Sequence, residues 1–210
     1  MSKLTIFEDD TFEGESEILP GDYDNCIFVN CRFFGADLSN RLFTDCTFID
    51  CDLTNAKLHE VALQTVAFEG CKLLGLRFDD CQNFLFKVSF TGCNLELTTF
   101  HEWKMKGTEF KECVLRETDF TGADLQEASF DDCDLERAIF ERTDLRRADF
   151  RSARNYSFSP EDNRLKGTRF SIGGLPGLLA EYWFAPLLIG LSYSSVRKLN
   201  VGRCPVCLFG

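Results

Sequence analysis

Eleven cysteines and two histidines are the residues of this chain with the most obvious chemistry. Thiols and imidazoles bind metals and carry redox or acid–base steps, so their spacing is the first thing to test. Six cysteines, Cys31, Cys51, Cys71, Cys93, Cys113 and Cys133, recur every twenty residues, with a single step of twenty-two. Regular spacing of that kind builds a column rather than a cage. Side chains stacked on parallel strands sit ~4.8 Å apart, wider than the ~3.8 Å between Cβ atoms that a disulfide prefers. The column reads as small buried hydrophobes filling a core. His59 and His101 have no Cys/His cluster around them and read as surface residues. Cys204-Pro205-Val206-Cys207 is a lone CxxC. A structural zinc site needs four ligands and a thioredoxin-like site needs a βαβ unit around it. The chain has no glycine-rich phosphate loop, no GxSxG and no HExxH. The expectation is therefore a protein without catalytic residues, metal or cofactor, acting as a binding surface.

Charge points the same way. The chain carries a net charge of −11, unevenly distributed. Residues 1–135 hold 27 acids and 11 bases, whereas residues 136–210 hold 7 acids and 12 bases. An acidic body repels nucleic acid and membranes and attracts basic partners, or serves only to keep a long surface soluble. No apolar stretch of secretory type opens the chain, where Glu8, Asp9, Asp10, Glu13, Glu15 and Glu17 crowd instead. A cytoplasmic location and reduced thiols follow as expectations.

The elements that position these residues come from a repeat. From Phe28, every fifth residue to Phe78 is Phe or Leu; a shift of two restores the pattern from Leu85 to Phe150. Of these 25 centres 24 are Phe or Leu and the other is Met105, which chance does not produce. Two residues before each centre the side chain is mostly Cys, Ala or Thr. Residues two apart on extended chain point the same way, so each unit turns one large and one small residue inward. Gly35, Asn40, Asp45, Asp50, Asn55, Gly70, Gly75, Gly92, Gly107 and Gly122 fall two after a centre and suit turns of positive φ.

Units such as Ala36-Asp37-Leu38-Ser39-Asn40 and Ala123-Asp124-Leu125-Gln126-Glu127 resemble the A(D/N)LXX consensus of pentapeptide-repeat proteins. The resemblance covers residues 26–154. It implies an all-β fold, a right-handed quadrilateral β-helix with four units per coil. Column purity at period twenty supports four sides: Phe28, Phe48, Phe68, Phe90, Phe110, Phe130 and Phe150 form one column of structural core. About six coils would make a rod of roughly 30 Å.

The expected organisation is an acidic cap over 1–25, one stack over 26–82, a second over 83–154, and a last coil, apolar helix and tail over 155–210. The second stack follows a two-residue bulge at 79–84. Arg41 and Trp103 occupy small-residue positions of one column, to be accommodated by turning outward or by a locally widened coil. The segment 172–191 holds one charge but two prolines and internal glycines, which argue against a membrane span. It reads as a helix around Leu178–Phe184 that caps the coil or pairs two protomers, with Leu178, Leu179, Tyr182, Trp183 and Phe184 as the dimerisation residues.

Within the family, the Qnr-type and mycobacterial fluoroquinolone-resistance proteins are acidic rods that bind DNA gyrase or topoisomerase IV in place of DNA. Similarity to them implies a topoisomerase partner here, met by Asp37, Asp52, Asp79, Glu96, Glu109, Asp119, Asp124, Asp131 and Asp134, with protection against quinolones or toxins. The chain lacks the long loops that interrupt Qnr coils. A scaffold for an unrelated protein, or a membrane-tethered solenoid, is the alternative. Arg137, Arg142, Arg146, Arg147, Arg151 and Arg154 form a basic patch unless Glu136, Glu141, Asp144 and Asp149 neutralise it.

Overall fold

The computed structural model describes residues 5–180. Its strands are only two to four residues long because every five-residue unit ends in a corner. All ten Gly, Asn and Asp positions expected to turn do so, with φ between 50° and 72°. Later corners place Leu97, Glu102, Glu117, Glu127, Arg137, Arg142 and Arg147 in the same left-handed region. A side chain there costs about 1–2 kcal/mol. The corner amide offsets this by donating to the next coil: Asn40 N–H reaches the His59 carbonyl at 3.0 Å and Glu117 N–H the Glu136 carbonyl at 3.0 Å.

The corners fold the chain into a parallel β-solenoid of about eight turns. One side is a nine-stranded parallel sheet running from Thr11–Glu13 to Arg169–Phe170. The adjacent side of the first coils, one unit earlier in each turn, carries a four-stranded sheet from Ile6–Glu8 to Ala62–Gln64. The remaining sides are held by single parallel bridges such as Arg32↔Asp52 and Thr99↔Asp119. Register advances by twenty residues, as in Phe28↔Phe48 and Phe110↔Phe130, except in the first coil, where Phe12↔Phe28 steps by sixteen, and at Phe68↔Phe90, which steps by twenty-two.

The predicted Phe column forms the core as expected. From Phe28 to Phe150 its rings stack with centroids 4.5 to 5.4 Å apart. A second column, Phe78, Phe100, Phe120 and Phe140, faces it and meets it edge-on, for example Phe110 against Phe120 at 5.9 Å and 79°. The cysteines beside them are free thiols, all buried among the described residues. Each Sγ of the column donates to a carbonyl of the preceding coil, as Cys71 to Phe48 and Cys93 to Phe68, both at 3.3 Å. Thr118 and Thr143 serve the same kind of carbonyl through Oγ1 at 2.9 Å. Burial pushes the Cys31 thiol up to about 11 and Cys46 up to about 12, so these side chains stay protonated donors.

The structure departs from the sequence reading where the period is broken. The chain before residue 26 is itself a coil: Phe7 stacks on Tyr23 at 4.9 Å and Phe12 on Phe28 at 4.9 Å. With this coil and the last one counted, the rod exceeds the six coils expected. Leu85 is not a centre; it is 62% exposed at φ 56°, and the half-buried Phe86 takes the inward place. Trp103 does not turn outward. It is 7% exposed, with Phe86 edge-on at 5.3 Å, so the two inserted residues supply the space its indole needs. Arg41 does leave the interior, and its guanidinium donates to the carbonyls of Ile18, Leu19 and Asp37. At the other end Tyr156 and Phe158 are buried against Phe150 and Phe140, although they fall off the five-residue period. The helix begins earlier than expected, as a 3-10 turn over Ile172–Gly174 and α1 over Leu175–Leu178.

Because each ring is clamped between identical neighbours, a hole in the column cannot collapse. Phe110→Ala is expected to lose about 3–5 kcal/mol of stability in chemical denaturation. A loss below about 1 kcal/mol would place the side chain outside the core.

Candidate partner-binding surface

Five-residue units leave three positions outward: one before the centre, one after it and the corner. The nine predicted partner-binding acids occupy all four sides of the rod. Glu109 and Asp131 lie on the nine-stranded sheet. Asp52 and Asp134 share the side that follows it, with Glu96. Asp37, Asp79 and Asp119 lie on the third side, and Asp124 on the fourth. The structure therefore does not gather these nine residues into one patch.

Several of them have a structural task. An Asp before a centre reaches back over the turn and accepts the N–H two residues on. Asp37 accepts from Ser39 at 3.0 Å, Asp52 from Thr54 at 3.0 Å, Asp119 from Thr121 at 2.8 Å and Asp124 from Gln126 at 3.1 Å. Asp37 and Asp79 also sit within 4.0 and 3.2 Å of Lys57 and Arg77. Asp134 is the clearest departure from a partner-facing role, with a side chain only 4% exposed. Its Oδ2 accepts Nε and Nη2 of Arg116 at 2.9 and 2.7 Å, and its Oδ1 accepts from Asn155 at 2.8 Å. Burial raises its carboxyl, but the hydrogen bonds from Asn155, Arg116 and the Glu136 amide outweigh it, and the net displacement is downward.

Among the described residues, the exposed carboxylates free of ion pairs include Asp45, Asp50, Glu60, Glu69 and Glu109. Three of these, Asp45, Asp50 and Glu60, are corners at φ 50° to 55°. The signal for them was present in the repeat, since a corner side chain always points away from the axis.

The C-terminal arginines are mostly paired. Arg146 holds Asp144 at 2.6 Å and Arg151 holds Asp149 at 2.8 Å, keeping both carboxyls below the usual range. Arg137 and Arg147 reach one coil back, to Glu117 at 3.2 Å and Glu127 at 3.4 Å. The patch is therefore largely neutralised, partly by acids other than those expected. His59 and His101 lie on the surface as read. Leu178 is buried against its own last coil, which makes it a cap residue, whereas Leu179 is 41% exposed. Tyr182, Trp183, Phe184, Cys204 and Cys207 lie outside the described residues. No helix among the described residues is long and apolar enough to cross a membrane, and no group of acids, cysteines and histidines there could hold a metal.

A family model described as a pentapeptide repeat region matches residues 22–84 and 83–155. The chain belongs to the pentapeptide-repeat family. Among solved structures it is similar to a trypsin-treated form of QnrB1, a plasmid-mediated fluoroquinolone resistance protein, at 19% identity and TM-score 0.54. That match covers 89% of this chain and 92% of the other. HetL from the cyanobacterium Nostoc sp. Strain PCC 7120, a pentapeptide-repeat protein involved in heterocyst differentiation regulation, matches at 18% identity and TM-score 0.48, over 80% and 84%. The likeness to QnrB1 shows the fold. No curated protein matches this chain.

The pairing of Asp134 fixes a pH dependence. Its folded-state carboxyl is depressed, so its contribution is present above the unfolded value of about 3.9 and is lost as pH falls through the folded one. Asp134→Asn is expected to cost about 1–3 kcal/mol at pH 7. In denaturation at a series of pH values, the gap from the wild type should close below about pH 4.

Proposed function

We propose that this protein acts by binding, its acidic rod taking the place of duplex DNA on a type II topoisomerase, DNA gyrase or topoisomerase IV. The observation that supports this reading is the set of unpaired outward carboxylates on stacked coils, within residues 1–135, which hold 27 acids against 11 bases. A basic groove shaped for phosphates would meet those charges at regular intervals. The structural likeness to QnrB1 is consistent with the same class of protein. The rod works in the cytoplasm as a homodimer joined near its C-terminal end, with Leu179 at the edge of the joint. In such a dimer the neutralised arginine coils lie centrally and the acidic arms point outward.

A second reading, a scaffold for an unrelated protein partner, is favoured by the spread of carboxylates over all four sides. Gyrase supercoiling, assayed with and without quinolone, separates the two. The wild type should inhibit supercoiling. Reversing Asp50, Glu60, Glu69 and Glu109 together to Lys should weaken inhibition by at least about tenfold and reduce its salt dependence. Reversing Arg142 and Arg147 to Glu should change it far less. Equal effects of both sets, or no inhibition at low salt, would leave only the scaffold reading.

A further inference from the structure

Bases dominate one corner of the rod near its C-terminal end, where the side centred on Leu145 meets the nine-stranded sheet. The last two coils pass this corner one above the other: Asp144 bridges Arg164, and strand Asp149–Phe150 pairs with Arg169–Phe170. On these two sides the two coils present Arg146, Arg147, Arg151, Arg164, Lys166 and Arg169 against only Asp144 and Asp149. Six bases against two acids leave an excess of four positive charges. The bases of the last coil restore the sign that pairing removes from the coil before it.

Pairing does not cancel the excess, because two carboxylates serve four arginines. Asp144 accepts Nη2 of Arg146 at 2.6 Å and lies 3.6 Å from Nη1 of Arg164. Asp149 accepts Nη2 of Arg151 at 2.8 Å and lies 3.0 Å from Nη2 of Arg169. The two aspartate side chains are 13% and 19% exposed, whereas these four arginines are 43% to 75% exposed. The acids therefore lie beneath and orient the guanidinium forks, and a partner meets the forks. Lys166 is exposed and makes no ion pair among the described residues.

We propose that this corner binds the phosphate backbone of duplex DNA without reading its sequence. Guanidinium forks take phosphate oxygens two at a time. Positive charge concentrated on two coils ~4.8 Å apart calls for a dense polyanion, and a duplex offers one charge per ~1.7 Å of its axis. The chain's own exposed acids are spread over four sides and present no such density. The duplex runs across the rod rather than along it. One coil nearer the N-terminus the same two sides carry Asp124, Glu127, Asp131 and Asp132, which repel phosphate. Coils beyond that one lie farther than the ~8 Å over which exposed charges act at physiological salt, so the acidic body does not bar contact at this end. The proposal rests on neither the topoisomerase reading nor the dimer, since the corner is lateral.

The test is the fluorescence anisotropy of a labelled duplex of about twenty base pairs, titrated with the full chain in the absence of any topoisomerase. Four neutralised phosphates predict an affinity that falls about a hundredfold between about 50 and 200 mM salt, alike for duplexes of unrelated sequence. Arg164→Gln/Arg169→Gln should weaken binding at least about tenfold at low salt. Lys166→Gln, which breaks no ion pair, should lower the salt slope by about one. Asp131→Asn/Asp132→Asn should tighten binding by removing the repelling border. No binding at low salt overturns the proposal. Binding that none of these substitutions changes also overturns it, because the contact then lies elsewhere in the chain. Displacement of the duplex by poly-L-glutamate at equal charge concentration would give the corner to an acidic protein and likewise overturn it.

Discussion

A parallel coil sets every side chain on its own counterpart one turn away, and this single constraint governs the rest of the molecule. Inside, it asks each column for residues that tolerate their own kind at ~5 Å. Phenyl rings do so by stacking face to face in one column and edge-on to the next, as Phe110 does with Phe130 and Phe120. Small side chains do so when each can donate to the coil before it, which Cys and Thr manage alike. Outside, the same rule stacks like charges unless the sequence alternates them. The later coils alternate, with Glu117 under Arg137 and Glu127 under Arg147. The earlier coils hold fewer bases and leave acids such as Asp45, Asp50 and Glu60 unpaired, which is the axial asymmetry of charge seen along the rod.

Period and column made most of the fold readable from the chain. The Phe column from Phe28 to Phe150, the ten left-handed corners and the two-residue step between Phe68 and Phe90 all follow from counting, because each coil contacts only its neighbours. Counting fails where units stop being equal. Tyr156 and Phe158 close the last coil from positions the period does not mark, and Phe86 replaces Leu85. The first coil escaped notice because sixteen residues do the work of twenty there. Those departures depend on space left by neighbours, which no spacing rule contains.

The surface was harder to read than the core, for a reason specific to aspartate. By composition Asp124 and Asp45 are alike, two acids on an acidic rod; only their place in the unit separates them. In space the first accepts the Gln126 amide and the second stands free at a corner. The carboxylate before a centre is shared between holding the turn and presenting charge, and at Asp134 the structural task takes it entirely. Charge counts from composition therefore overstate what a partner would meet. The unpaired corner carboxylates, Asp45, Asp50 and Glu60, are the better measure, since no ion pair within the coil engages them.

The insertion near residue 84 gives the rod one further property. Its loop exposes Phe84 and Leu85, while three sides of the solenoid run past it unbroken through Lys72↔Asn94, Arg77↔Thr99 and the pairing of Val66–Glu69 with Val88–Thr91. The covalent link across this point carries none of those bonds. The chain has in effect a built-in seam: two separately made fragments meeting there would retain the hydrogen bonds that join their coils. That makes the seam a natural place for a split-protein reporter, with reassembly templated by backbone rather than by any added interface.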